Sequence, residues 1–136
     1  MQMTRTLTLT AAFALALTTQ AQDQSYSDCL VKTSSKWGAP CDHCFSYIEG
    51  YKRDFSGTYQ LDLKNACREV IEVKVAVQEK NGTWRTFPVR ALGPEESLNA
   101  FACEGSGKYL YWVRRANDTE IVLPTDREII TAYNGR

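Results

Sequence analysis

The stretch "PCDHCF", Pro40 to Phe45, sets Cys41 and Cys44 three positions apart with the chain's single histidine, His43, between them. Such a cluster serves as a dithiol redox pair, a metal clasp or a covalent staple. A c-type haem requires histidine directly after the second cysteine, and Phe45 stands there, so that chemistry fails. Structural zinc needs two more ligands, and only His43 and Cys29 are near. A histidine between the cysteines is a poor spacing for a shared tetrahedron. A thioredoxin-like pair needs the C-x-x-C at a helix N-terminus in a βαβ setting, where the dipole lowers a thiol pKa, and the surrounding pattern is not of that kind. The expectation is therefore a staple, with no metal and no cofactor: Cys29 bridges Cys41 or Cys44.

Five cysteines occur in all, at positions 29, 41, 44, 67 and 103. Cys67 has the parity of Ile71 and Val73, and Cys103 that of Phe101, so both point inward at strand ends. A Cys67–Cys103 bridge is expected. It would close a loop of roughly 36 residues, worth about 3–4 kcal/mol on the chain-entropy model. One of Cys29, Cys41 and Cys44 is then left over, free or available for a disulfide-linked dimer. Other catalytic signals are scarce. No nucleophile elbow surrounds any serine, and a triad would have to use His43. Glu95-Glu96 reads as a solvated loop, and "EGSGKY" lacks the P-loop spacing. The sequons at Asn81 and Asn117 both coincide with turn chemistry.

The compartment follows from the N-terminus. "MQMTR" carries one positive charge, "LTLTAAFALALTT" is an apolar run of signal-peptide length, and Ala21 offers a small residue for cleavage. Residues 1–21 are expected to be a signal peptide, making the mature protein secreted or periplasmic. No later segment is apolar enough to cross a bilayer. Without Arg5 the chain keeps 15 basic side chains against 16 acidic ones. That balance offers no field to attract nucleic acid or an anionic membrane.

The elements that must position these residues are strands. "GTYQLDL" and "EVIEVKVAVQE" alternate with period two, the latter placing Ile71, Val73, Val75 and Val77 on one face. Asn81-Gly82 follows as a hairpin signal, read as a two-residue type I′ turn. Further strands are expected at "TWRTFPV", ending near Pro88, and at "SLNAFAC", "KYLYWVRR" and "TEIVL". This predicts an all-β fold, a small immunoglobulin-like or fibronectin-like β-sandwich of about six to seven strands over 57–125. A cysteine-bearing segment, 22–56, precedes it, and a polar tail, 126–136, follows.

Within 65–115, Asn65-x-Cys67, the valine strand, Gly82-x-Trp84, Leu92-x-Pro94 and Cys103-x-Gly105-x-Gly107 resemble small secreted bacterial β-sandwich proteins of uncharacterised function. The resemblance covers about half of the mature chain. It implies a sandwich and carries over no functional residue.

One feature exceeds what a sandwich requires. In "KYLYWVRR", Tyr109, Tyr111 and Val113 share one face while Leu110, Trp112 and Arg114 share the other, so both faces need covering. A strict two-residue hairpin puts Trp84 on the face of Val77, whereas a bulge exchanges the faces of Trp84 and Phe87. Two arrangements satisfy this surplus. The N-terminal aromatics Trp37, Phe45, Tyr47, Tyr51 and Phe55 fold across the outer face, or an exposed platform of Trp84, Tyr109, Trp112 and Arg114 binds a protein or glycan partner. The expected function is a non-catalytic, disulfide-stabilised binding or structural module. The alternative is a small exported thiol-redox or metal-binding protein using Cys41 and Cys44.

Overall fold

The computed structural model describes residues 26–45, 47–48, 50 and 52–136, so the expected signal peptide and Tyr51 lie outside the described residues. A 3-10 turn, Tyr26–Cys29, leads into β1 (Leu30–Trp37). The following strands are β2 (Tyr47–Ile48), β3 (Lys52–Arg53), β4 (Tyr59–Asn65), β5 (Ile71–Glu79) and β6 (Trp84–Thr86). Then come β7 (Arg90–Leu92), β8 (Ser97–Ala102) and β9 (Gly105–Arg115), and the helix α1 (Asp126–Tyr133) closes the chain.

Two antiparallel sheets result. The first has order β1-β4-β8; in the second, β5 pairs with β9 on one side and with β6 and β7 on the other. A short hairpin, β2–β3, stands apart from both. The period-two pattern explains the core. Tyr59, Leu61 and Leu63 of β4, Leu98 and Ala100 of β8, and the four inward residues of β5 join in one buried cluster. Each such side chain contributes about 1.5–3 kcal/mol on full burial.

The N-terminal segment departs from expectation. It is not the cover of the outer face of β9; residues 30–37 pair with β4 as an edge strand, Leu30 opposite Asn65 and Trp37 opposite Tyr59, while Cys41, Cys44 and Phe55 pack on Phe101 of β8. Thr33 is an extra residue in that ladder, and Lys32 and Lys36 stand exposed along it. A bulge and edge lysines discourage pairing with another chain.

The sheet register also corrects the cysteine pairing. Cys67 bonds to Cys29 and Cys103 to Cys44, with Cα–Cα separations of 5.1 and 5.3 Å, while Cys41 is free. The expected Cys67–Cys103 bridge is ruled out by β4 and β8 running antiparallel. Lys64 pairs with Ser97 and Tyr59 with Ala102, so the two cysteines lie at opposite ends of the sheet. At about 3.4 Å per residue they are more than about 20 Å apart, well beyond the ~7 Å limit for a bridge. The same register brings Cys29 beside Cys67 through the Leu30–Asn65 pair and sets the segment after Trp37 beside Cys103. Two disulfides make this a disulfide-stabilised β protein of the kind an oxidising, extracytoplasmic compartment sustains.

Asn65 anchors the stapled end. It is fully buried, and its Nδ2 donates to the carbonyls of Glu69, Leu92 and Gly93 at 2.9–3.1 Å. Its Oδ1 accepts from Cys67 N–H at 2.9 Å. Every polar atom of that amide is satisfied, as burial demands.

Three further differences concern the chain after Asn81. The hairpin closes with a loop of Lys80, Asn81 and Gly82, because Glu79 N–H donates to the Thr83 carbonyl at 2.7 Å. Only Gly82 takes a positive φ, +93°, the signature of a type I turn with a glycine bulge rather than type I′. "TEIVL" forms no strand, and Ile121 and Val122 are exposed there. The expected polar tail is instead α1, capped by Thr125, whose Oγ1 accepts from Glu128 N–H while Glu128 Oε1 accepts from Thr125 N–H, both at 3.2 Å. This is a capping box.

Candidate functional site

The bulge at Gly82 moves Trp84 opposite Gln78, onto the outward face of β5. That face carries Ala76, and the adjacent β9 adds Leu110 opposite Ala76 and Trp112 opposite Lys74. Helix α1 lies across it. Ile129, 1% exposed, joins Ala76 and Trp84 in a second buried cluster, with Leu110, Trp112 and Tyr133 packed around them. Trp84 Nε1 donates to the Tyr133 carbonyl at 2.8 Å, and both tryptophans meet the Tyr133 ring edge-on, at 6.3 and 6.1 Å. Lys74, buried to 4% exposure, bonds to Asp126 in the first turn of the helix. Hydrogen bonds from Lys74 and then Thr86 hold the Asp126 carboxyl below its ordinary pKa. The outer apolar face is therefore covered, and its cover is the C-terminal helix.

The four residues expected to form a platform are consequently split. Trp84 and Trp112 pack beneath α1. Arg114 shares their face, but its Nε bonds to Glu72 Oε1 at 3.1 Å and its guanidinium donates to the Ile121 carbonyl at 2.9 Å. Tyr109 lies on the other face, packed against the main core.

Tyr109 belongs instead to a row of rings running across the seam between β1 and β9, the facing edges of the two sheets. Trp37 meets Tyr59 at 4.8 Å between centroids, and Tyr109 stacks on Tyr111 at 6.2 Å with planes 19° apart. Tyr59 links the two pairs electrostatically, through Tyr109. Its phenol is raised above its ordinary pKa first by burial, opposed by a hydrogen bond with Ser35, and raised further by Tyr109. Trp37 remains 54% exposed. It packs against Gly107, where a Cβ would come within 2.9 Å of the indole. Gly107 has φ +92°, so both its backbone and the ring above it require glycine. The row has no nucleophile or acid–base pair; what it offers is one exposed indole, Trp37, braced by the buried Tyr59 and edged by half-buried Tyr109 and Tyr111. Sequence reasoning placed Trp37 in a covering layer and missed this role. The signal lay in Gly107, a glycine inside a strand pattern, which marks a close approach.

The cysteine cluster is the other site that the sequence singled out. Residues 41–44 form a turn in which Cys44 N–H donates to the Cys41 carbonyl at 3.0 Å. Cys41 and Cys44 are buried with Phe101, and Phe55, Phe87 and Cys103 pack around them. His43 stacks on Phe101 at 5.2 Å. Cys41 and Cys44 are thus neighbours but not bonded to each other. Among the described residues no three histidines, cysteines or carboxylates are grouped so as to hold a metal. No described helix is long and apolar enough to cross a membrane. Comparison of this chain with family models, curated proteins and solved structures finds no match.

Proposed function

We propose that this protein is a non-catalytic binding module of the secreted or periplasmic space. In this reading its fold is an immunoglobulin-like or fibronectin-like β-sandwich on which the exposed Trp37, backed by buried Tyr59 and flanked by half-buried Tyr109 and Tyr111, contacts a glycan. The observation that carries the proposal is the exposed Trp37, 54% accessible and packed between Gly107 and Tyr59. A large ring kept rigid in water loses little conformational freedom when it captures a ligand, which is why such rings act as interface anchors. An exposed indole flanked by tyrosines suits the apolar C–H faces of sugar rings. The apolar leader sequence and the two disulfides support export.

Trp37 also supplies the assay. The other two tryptophans pack under α1, so a ligand on the row quenches or blue-shifts mainly the emission of Trp37. Titration against a panel of oligosaccharides should give a saturable change in emission, and calorimetry should show that Trp37→Phe removes the binding itself, while Tyr111→Ala should weaken it without loss of fold. Saturable glycan binding that is unchanged in both variants would move the site elsewhere. Capture of a protein but no oligosaccharide would replace the glycan with a protein partner.

One observation favours a second reading. Cys41 is a free, buried thiol in the same cluster as the Cys44–Cys103 disulfide, so thiol exchange among the three is chemically accessible. A redox protein of this kind would interconvert its disulfides under a mild thiol buffer, whereas a binding module keeps one thiol and two bridges.

A further inference from the structure

The edges opposite the aromatic row, β8 in one sheet and β6–β7 in the other, enclose a separate opening whose origin lies in the chain at Pro88. Thr86 pairs with Ala76 and Arg90 with Val73, so Phe87, Pro88 and Val89 stand opposite only Lys74 and Val75. Phe87 N–H still donates to the Val75 carbonyl at 3.0 Å, but Pro88 has no N–H to give and the ladder breaks. An extra residue beside a proline bends a strand away from its neighbour. The sheet parts here, and a groove of about 290 Å³ opens onto the protein's own core. Its floor is Val73, Val75 and Leu98, and one wall is Phe87, Pro88 and Val89. Val89 is 46% exposed.

The one charged side chain lining this groove is basic. Arg90 lines it and is exposed. Arg85 sits beside it, its guanidinium 4.4 Å from the Phe101 ring and 5.8 Å from that of Phe87. Among the described residues, the ion pairs join Lys64 to Glu95, Lys74 to Asp126, Arg114 to Glu72 and Arg115 to Glu69. Neither Arg85 nor Arg90 has a carboxylate partner among them. The remaining polar residue, Asn99, donates its Nδ2 to Asp62 Oδ1 at 2.9 Å, and Ser34 holds the other oxygen of that carboxylate at 2.7 Å. Asp62 is thus already engaged, and Arg85 is held over two aromatic rings, which leaves Arg90 as the exposed guanidinium on the groove without a carboxylate partner among these ion pairs.

An apolar floor with unpaired positive charge at its mouth complements a molecule with an apolar body and one anionic end. We propose that this groove binds a small alkyl carboxylate, its chain lying on Val73, Val75 and Leu98 and its carboxylate facing Arg90. The site is independent of the aromatic row, which lies on the opposite edges of both sheets.

The test uses octanoate and octanol as probes on the whole oxidised protein, read by methyl resonances and calorimetry. Octanoate should shift the methyl signals of Val73, Val75 and Leu98 saturably, and octanol should bind at least about tenfold more weakly because it lacks the charge contact. Arg90→Gln should weaken octanoate about tenfold and leave octanol unchanged. Val89→Asp, at a position 46% exposed, should abolish octanoate binding by placing a like charge on the wall. Melting temperatures near that of the parent show that both variants are folded. Three results would overturn the proposal: no saturable shift at the groove methyls, octanol binding as tightly as octanoate, or octanoate affinity unchanged by both substitutions. Each holds whether or not the aromatic row binds a glycan.

Discussion

The role of α1 as the cover of the second apolar face is tested most directly by comparing two adjacent isoleucines. Ile129 is 1% exposed and Ile130 is 44% exposed, yet both sit in the same helix and lose the same atoms on truncation. Ile129→Ala removes a side chain packed on Ala76 and Trp84, a change that costs about 2–5 kcal/mol in cores. Alanine returns a few tenths of a kcal/mol through its higher helix propensity, leaving a net loss of roughly 2–4 kcal/mol. For a domain of this size that lowers Tm by about 10 °C. Ile130→Ala gains the same propensity and gives up little burial, so it should stay within about 0.5 kcal/mol of the parent.

The assay is urea or thermal unfolding followed by tryptophan emission, because Trp84 and Trp112 both pack against Tyr133 of the helix. If Ile129→Ala frees the helix without unfolding the sheets, native-state emission shifts to the red before the main transition, which equally marks α1 as the cover. Identical stability and identical native emission in the two variants would refute the packing argument. It would return the outer face to solvent or to another segment.

Non-reducing peptide mapping should recover Cys29 linked to Cys67 and Cys44 linked to Cys103, with one thiol per chain that alkylates slowly until the protein is unfolded; Cys67 linked to Cys103 would contradict the sheet register. Replacing the Cys29–Cys67 pair by alanines should cost about 3–4 kcal/mol, since the bridge joins residues 38 apart; denaturant midpoints measure this, and a loss below about 1 kcal/mol would count against it. Asn65→Leu should destabilise by several kcal/mol, because three carbonyls and one N–H lose a buried partner, each at about 1–3 kcal/mol; a near-neutral value would show that water replaces the amide. Asp126 has a depressed pKa, so its contribution is fully present above the unfolded aspartate value of about 3.9 and fades as pH falls through the lower folded value. Asp126→Asn should flatten that part of the acid-stability curve, and an unchanged curve would remove the Lys74–Asp126 bond from the account.

Most of the strands were legible because their information is local. The alternation in "EVIEVKVAVQE" fixes β5 and its inward face without reference to any other segment, and β4, β8 and β9 follow by the same argument. The cysteine pairing was not legible, because parity reports which face a residue points to and not which end of a sheet it occupies. Once Lys64 pairs with Ser97, Cys67 and Cys103 are driven to opposite ends, and that pairing is a tertiary fact. The aromatic row was hidden for a related reason. Trp37 and Gly107 are far apart in the chain and meet only because β1 and β9 are the facing edges of two sheets.

The C-terminal helix is a different case, since its signal was present. "TDRE" before Ile129 and Ile130 is a capping box leading into an apolar pair, and polar composition obscured it. The surplus apolar face of β9 demanded a cover, and one backbone choice decided where that cover had to land. With Gly82 at positive φ, Trp84 turns outward to join Leu110 and Trp112. A single-residue slip would have sent it inward. The same turn then receives the end of the chain, Gly135 N–H donating to the Gly82 carbonyl at 3.3 Å. The glycine that sets the register of the hairpin therefore also helps dock the helix that the register makes necessary. Replacing it with a β-branched residue should disturb both together, since positive φ is costly for any such side chain.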